Sequence, residues 1–313
     1  MPEASRRAAL YAYTLFLLGS AFMASNAVIG RAAAQVVPPV GLAFWRWLAA
    51  FLIVLPFAWR GLAQHRRVLL AGWKRFLALG ALGMGVCGAI VYIGLQHTTA
   101  TNTGLIYATS PVFILAISAV ALKEPVTPRQ VAGIALALAG VLAILTRGEL
   151  AALLGFAFNR GDLLILAGAV AWAVYTVLLR RSGGPSLPVV TQFAANALSG
   201  VLVLAPFYAW ETLGGHPVVP TWEAAVRIGG VALFASVLAF LAYQKTITLL
   251  GPARAGTALY VSPVWVALLA WALLGEELEL FHLAGVALIV PGVLLATLPT
   301  PAARAPETSV ARD

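Results

Sequence analysis

The side chains of this 313-residue chain that could do acid–base, nucleophilic or metal chemistry are few and are not spaced for it. There are eleven carboxylates, four histidines and one cysteine, Cys87. His65, His97, His216 and His282 are scattered, no carboxylate pair falls in the middle of an apolar run, and no group recurs at metal-ligand spacing. No Walker or Rossmann glycine pattern precedes a lysine or an acidic partner, so neither an ATP motor nor a nucleotide cofactor is expected. The pattern argues against an enzyme, and no metal or cofactor is expected.

The polar residues inside apolar runs are suited to binding instead. Arg46 sits between Trp45 and Trp47, where it either faces an interior cavity or snorkels to the interface. Gln192 and Asn196 are one helical turn apart, with Ser199 continuing their face. Thr99, Thr103 and Tyr107 recur at spacing four, with Asn102 nearby and Ser110 a turn further on, and such a stripe faces protein or water rather than lipid. Tyr92 and Gln96 are paired in the same way, and Tyr243 and Gln244 take related places later in the chain. Trp172, Tyr175, Tyr260 and Trp265 add aromatic surface, Ser262 precedes Pro263, and Asn26 lies one turn beyond Phe22. Together these residues describe a large apolar, aromatic-lined pocket with a few amides and hydroxyls, suited to a small metabolite with a hydrophobic part. Core packing is the competing reading for any single aromatic among them.

The elements that must carry these residues follow from composition. The chain is 61% hydrophobic and 10% charged, with a mean hydropathy of +0.93. A soluble surface needs about 25% charged residues, so this is an all-α integral membrane protein. Ten apolar runs are long enough to span a bilayer: 9–30, 39–59, 74–96, 101–122, 129–146, 162–180, 188–210, 226–249, 254–274 and 281–298. Residues 1–8 and the Pro- and Ala-rich tail 299–313 flank them.

The net charge of +9 becomes a topology once it is sorted by segment. With the N-terminus inside, fourteen basic residues, among them Arg60, Arg66, Arg67, Lys74 and Arg75, fall in or beside cytoplasmic segments. Arg31, Arg147, Arg160 and Arg227 fall outside, so both termini are expected in the cytoplasm of a bacterial-type inner membrane. No nucleic acid is implied, and a monomer suffices.

An internal repeat organises the spans. An offset of 152 brings Ser110-Pro111 onto Ser262-Pro263, Glu124 onto Glu276, Gly133 onto Gly285 and Gly140 onto Gly292. Near an offset of 150, Phe22 meets Trp172, Pro38 meets Pro188, Pro56-Phe57 meets Pro206-Phe207, and Arg46 falls opposite Asn196. The units are 9–147 and 161–298, joined by a linker at 148–160. Each holds five spans, an odd number, so the second copy must enter the bilayer upside down, the ground plan of many secondary transporters.

These units resemble the EamA branch of the drug/metabolite transporter superfamily. The resemblance rests on the Gly161-Asp162-Leu163 start with Ala171-Trp172-Ala173 beyond it, on Ser-Pro in spans four and nine, and on Glu124 and Glu276 after them. The mixture of aromatics is also similar to that of YddG-type exporters of aromatic amino acids. The resemblance implies a ten-helix basket with spans 1–4 and 6–9 around a central cavity and spans 5 and 10 set apart as packing helices. Span 5 supports this directly, since Gly133, Ala137 and Gly140 share one face and permit close helix contact.

The expected activity is facilitative export, by alternating access, of amino acids with a hydrophobic or aromatic side chain, or of related small metabolites. Arg46 or Lys245 would attract the carboxylate, and the amides and tyrosines would orient the polar group. Pro111 and Pro263 are expected to kink their helices and free carbonyls toward the cavity, with Glu124 and Glu276 as gating or packing residues. A carrier for sugar phosphates or nucleotide sugars would need clustered basic residues at its centre. A proton-coupled drug exporter would need a carboxylate inside a span, and none is found there, Asp162 reading as an N-cap at the start of span 6.

Overall fold

A computed structural model describes residues 3–26, 29, 33, 36–98, 100–149, 159–180, 187–274 and 279–298, and every regular element among them is helical. Glu276, Thr99 and the tail from Pro299 lie outside the described residues.

Among the described residues, eight helices are long and apolar enough to cross a membrane. They are α2 (Pro39–Gln64), α3 (Trp73–Leu95), α4 (Asn102–Ala121), α5 (Pro128–Leu145), α6 (Arg160–Arg180), α7 (Val189–Leu213), α8 (Trp222–Leu250) and α10 (Leu280–Thr297). The apolar helices α1 (Glu3–Ser25) and α9 (Ala258–Leu274) complete the order. Leu52, Phe57, Leu202 and Phe207 are exposed on the outward faces of α2 and α7. Large apolar side chains placed so are at home against lipid, and Trp59, Trp210 and Trp222, exposed at helix ends, fit the interfacial belts.

Proline and hydroxyl chemistry sets the helix starts. Pro39 and Pro128 occupy first-turn positions, where the missing N–H costs nothing. Thr127 caps α5 reciprocally with Gln130, the Gln130 N–H donating to the threonine hydroxyl and the Thr127 N–H to Gln130 Oε1. Glu279 and His282 form the same reciprocal box at α10, the same offset of 152 along the chain.

Helices α5 and α10 pack against each other through glycine. A Cβ on Gly133 would lie 2.6 Å from the Gly292 carbonyl oxygen, and one on Gly140 would lie 2.6 Å from that of Gly285. The pairs 133–292 and 140–285 make the crossing antiparallel. Among the other described helices, α2 packs on α7, α3 on α6 and α7, and α1 on α8 and α9. Helices α2 and α7 are antiparallel as well, with Gly41 beside Glu211 and Gly61 beside Thr191.

Two stretches depart from α geometry. Residues Ala81–Ile90 of α3 and Val231–Leu238 of α8 wind as π-helix, at positions 150 apart. Such wider turns are rare and are frequent at functional sites.

The two Ser-Pro positions behave differently. Helix α4 is interrupted at Ala108–Thr109, just ahead of Ser110-Pro111. Helix α9 runs continuously through Pro263. In that half the interruption comes earlier, at Thr257, between the short turn Pro252–Gly256 and α9.

Candidate functional site

Arg46 is buried, 5% exposed, so it does not snorkel. Consecutive residues on a helix point about 100° apart, and the flanking tryptophans separate accordingly: Trp45 is exposed and donates to the Tyr208 hydroxyl at 3.0 Å, while Trp47 is buried. The Arg46 guanidinium lies 4.8 Å from the Trp47 ring centroid. Its Nε donates to Ser236 Oγ at 2.9 Å, one terminal nitrogen to the Tyr92 hydroxyl at 2.7 Å, and the other to the Ala235 carbonyl at 3.1 Å.

The π-helical stretch of α8 explains two of these acceptors. Ser236 Oγ donates to the Val231 carbonyl five residues back, at 3.1 Å, so its lone pairs are left for the guanidinium. Ala235 contributes backbone from the same wide turn. Tyr92 passes the contact on by donating to Asn26 Oδ1 at 3.2 Å. Every hydrogen-bond partner given for Arg46 is neutral, and among the described residues it makes no ion pair. A buried cation without an anion attracts one strongly.

Behind Trp47 lies an aromatic stack. Its ring meets Phe240 edge-on at 4.8 Å, Phe240 meets Trp172 edge-on at 5.4 Å, and Trp172 lies 5.1 Å from Tyr243 and 5.5 Å from Tyr175. Such contacts rank among the favoured aromatic geometries. Gly83, in the π-helical stretch of α3, makes room for the Tyr175 ring, because a Cβ there would come within 2.7 Å of it. Gln244 Nε2 donates to the Tyr175 hydroxyl at 3.0 Å, and the Thr176 and Tyr243 hydroxyls are 3.2 Å apart. Asn196 is fully buried beside the Tyr175 hydroxyl.

Two carboxylates tie helix ends, and a third lies beside a turn. Asp162 is fully buried and corrects the expected assignment: Asn159 is the N-cap of α6 and Asp162 its third residue. The Asp162 N–H donates to Asn159 Oδ1 at 3.1 Å, and the Asn159 N–H returns to Asp162 Oδ2 at 2.8 Å. The carboxylate also accepts from the Thr98 hydroxyl and from Asn102 Nδ2, joining α6 to the α3–α4 turn and to α4. Glu211, near the end of α7, accepts from the Val40 N–H at 3.0 Å and the Gly41 N–H at 2.6 Å, so it caps α2 from a neighbouring helix. Glu124 is half-buried, with Oε1 3.7 Å from where a Gly251 Cβ would sit, at the turn after α8.

The sequence-expected residues therefore divide. Arg46, Tyr92 and Asn26 meet in one network, and Trp172, Tyr175, Tyr243, Gln244 and Asn196 surround a second. Tyr107 reaches the same interior, its hydroxyl 2.9 Å from where a Gly168 Cβ would lie, beside Cys87, which donates to the Gly168 carbonyl. Ser110 and Tyr260 are buried, while Gln192 and Ser262 are half-buried. Gln96 is exposed at the end of α3, and Asn102 is engaged by Asp162, so both stand apart from the two networks. Lys245 is half-buried, further along α8 than the arginine network. Ser236, Ala235, Phe240 and Glu211 escaped sequence reasoning. Of these, only Glu211, an acid late in an apolar run, carried a signal.

The chain matches the EamA-like transporter family over residues 10–146 and again over 159–298. It is 30% identical to "Uncharacterized inner membrane transporter YedA" of Escherichia coli K12 over 262 residues, covering 83% of this chain and 82% of that protein. It is 27% identical over 290 residues to "Uncharacterized transporter YyaM" of Bacillus subtilis, covering 91% and 93%. A "Probable terminal-alkyne amino-acid exporter" of Streptantibioticus cattleyicolor is 29% identical over 220 residues, 69% of this chain and 70% of that one. A solved crystal structure matches with a TM-score of 0.71 at 23% identity, covering 93% of this chain and 96% of that chain, which establishes a shared fold.

Proposed function

The chain belongs to the EamA-like transporter family, and from that premise we propose that it is an alternating-access facilitative exporter of amino acids with a hydrophobic or aromatic side chain. The observation that carries this reading is the buried Arg46 guanidinium, held by neutral groups and laid against an aromatic stack. A carboxylate would take the place of the missing anion at Arg46. The α-ammonium, attached one carbon away, would find acceptors in Asn26 Oδ1 and the Tyr92 hydroxyl. The side chain would then lie along Trp47, Phe240 and Trp172. The exporter among the relatives, named for amino acids, agrees with this substrate class.

In the proposed architecture α1 and α9 join the eight longer helices as spans, giving ten, with both termini in the cytoplasm. The two units are inverted, as the antiparallel packing of equivalent helices α2 with α7 and α5 with α10 supports. The solute site would lie near the midplane between the units. Glu211, bonded to the start of α2, and Glu124, beside Gly251, would serve as gate contacts between the units.

The proton-coupled alternative gains one observation, the buried carboxylate of Asp162. All of its given hydrogen bonds come from neutral donors at the start of α6, the arrangement of a structural hub. The phosphate-carrier alternative needs clustered cations, and among the described residues Arg46 is the one buried basic side chain.

Counterflow in proteoliposomes loaded with phenylalanine, leucine, a cationic drug or glucose 6-phosphate, with and without a pH gradient, tests the proposal. Saturable amino-acid exchange that is indifferent to the gradient is the expected result. Exchange of the sugar phosphate alone would refute it, and flux that needs the gradient would move the mechanism to Asp162.

A further inference from the structure

Gln244 and Asn196 are buried polar groups that the Arg46 network leaves unused. Gln244 is 4% exposed and gives Nε2 to Tyr175, but its Oε1 has no hydrogen-bond partner among the described residues. Neither amide atom of Asn196, beside the same hydroxyl, makes a well-formed hydrogen bond there. Native interiors pair nearly all such atoms, so several orphans around one hydroxyl ask for a ligand.

Their distance from Arg46 says which part of a ligand they would meet. Ser236, which holds the guanidinium, and Gln244 are both on α8, eight residues apart, or about 12 Å at roughly 1.5 Å per residue. That is too far for the amide to reach the α-ammonium of an amino acid whose carboxylate is on Arg46. Between the two ends run the rings of Trp47, Phe240 and Trp172. A phenylalanine side chain laid along them would end about one hydrogen bond short of the amides.

The chemistry of the far end is neutral. An amide that can turn over and a hydroxyl that can rotate offer either a donor or an acceptor, which suits a hydroxyl or an indole N–H. We propose that Gln244, Asn196 and Tyr175 form a distal subsite that receives an uncharged hydroxyl or N–H at the tip of the substrate's side chain, two helical turns from the carboxylate on Arg46. The proposal rests on the amino-acid reading above and narrows it to aromatic amino acids with a polar tip, tyrosine and tryptophan over phenylalanine.

Counterflow kinetics for tyrosine and phenylalanine in proteoliposomes test it. The wild-type KM is expected to be about five- to tenfold lower for tyrosine, because a subsite built to bond a hydroxyl leaves its own groups orphaned when the hydroxyl is missing. In Gln244→Met and Gln244→Leu, each verified as monodisperse in detergent, the ratio of the two KM values should fall to about one. Equal KM values in the wild type would overturn the subsite without any variant, and so would an unchanged ratio in either folded variant. The two levels fail differently. If both amino acids are carried alike, the subsite falls and the amino-acid reading stands; if neither is carried while another anion shows Arg46-dependent exchange, the amino-acid reading falls and takes the subsite with it.

Discussion

Arg46 and Asn196 occupy equivalent positions on two helices that are otherwise close counterparts. Helix α2 follows Pro38 (φ −54°, ψ 146°) and α7 follows Pro188 (φ −53°, ψ 138°), each holds an internal proline at Pro56 or Pro206, and each exposes the phenylalanine after it. Against each of them packs a π-helical stretch of the other unit, again at matching positions. On this common scaffold one helix carries a cation held by three neutral acceptors, and the other an amide beside a tyrosine. Duplication thus supplied the frame and substitution supplied the polarity. Two like halves give a solute two equivalent ways to lie between them, and one charge among them fixes a single way round.

The most severe test of that difference is to abolish it. Arg46→Asn gives both helices the same amide, and it removes charge-assisted hydrogen bonds worth about 1.5–3 kcal/mol each. Counterflow kcat/KM for the proposed amino-acid substrate should fall about 100-fold, as one such bond to the carboxylate would require. Arg46→Lys should rescue little of it, because a single ammonium cannot satisfy Ser236, Tyr92 and the Ala235 carbonyl from one place and still face a substrate. Flux that survives in Arg46→Asn would mean that the asymmetry between the halves is not what binds the solute.

Where the halves are alike, damage should be alike. Gly140 and Gly292 bring α5 and α10 into backbone contact, and an added side chain at either position meets the other helix's main chain within 2.6 Å. Gly140→Leu and Gly292→Leu should each cost about 1–3 kcal/mol, the usual range for overpacking. Thermal melts of detergent-solubilised protein read this directly. Equal loss in the two variants is expected, and a loss confined to one of them would break the equivalence of the units at this crossing.

At the helix ends the halves diverge again, more mildly. Glu211 caps α2 with two charge-assisted bonds, whereas its counterpart across the repeat, Gly61, has no side chain and lies against Thr191. Glu211→Gln keeps the shape and removes the charge, which should lower stability by about 1 kcal/mol, the scale of a lost cap. A melt indistinguishable from wild type would show that the carboxylate does not hold α2.

Much of the frame could be read from the residues. Long apolar runs gave helices close to where they were expected, because an uncharged stretch of about 20 residues has few other uses. The glycines at 133, 140, 285 and 292 announced a close crossing, and they make one. Pro263 lies inside a continuous helix, as a proline can when neighbouring groups take up the lost bond. The site was legible by residue type and obscure by geometry. Arg46 could be named from sequence, yet burial against snorkelling turned on the rotation of α2, which splits Trp45 from Trp47. Asp162 was visible as a helix-start acid, but its bonds to Thr98 and Asn102 join segments about 60 residues apart, which no local pattern encodes.

Ser236 is the case where local reading was bound to fail and where the smallest effect is expected. A serine in an apolar run commonly bonds back to its own helix, and Ser236 does so, to the Val231 carbonyl. That bond spans five residues because the helix is π-wound there, and the same winding puts the hydroxyl's lone pairs and the Ala235 carbonyl in front of Arg46. In the first repeat the matching position is Val86, inside an equally wide turn but with no hydroxyl to offer a cation. Ser236→Val therefore copies the first half into the second. It removes one of three anchors and leaves the Tyr92 and Ala235 contacts, so the guanidinium stays buried but is less fixed in direction. A lost hydrogen bond to a charged group in a network that can readjust should raise the KM about three- to tenfold. The melting temperature should fall modestly as well, because valine is larger than the fully buried serine and leaves the Arg46 Nε–H without its acceptor. If the KM holds while the melting temperature drops, the π-helical stretch of α8 is a structural feature shared by both halves, and the orientation of Arg46 must be set by Tyr92 and Asn26 instead.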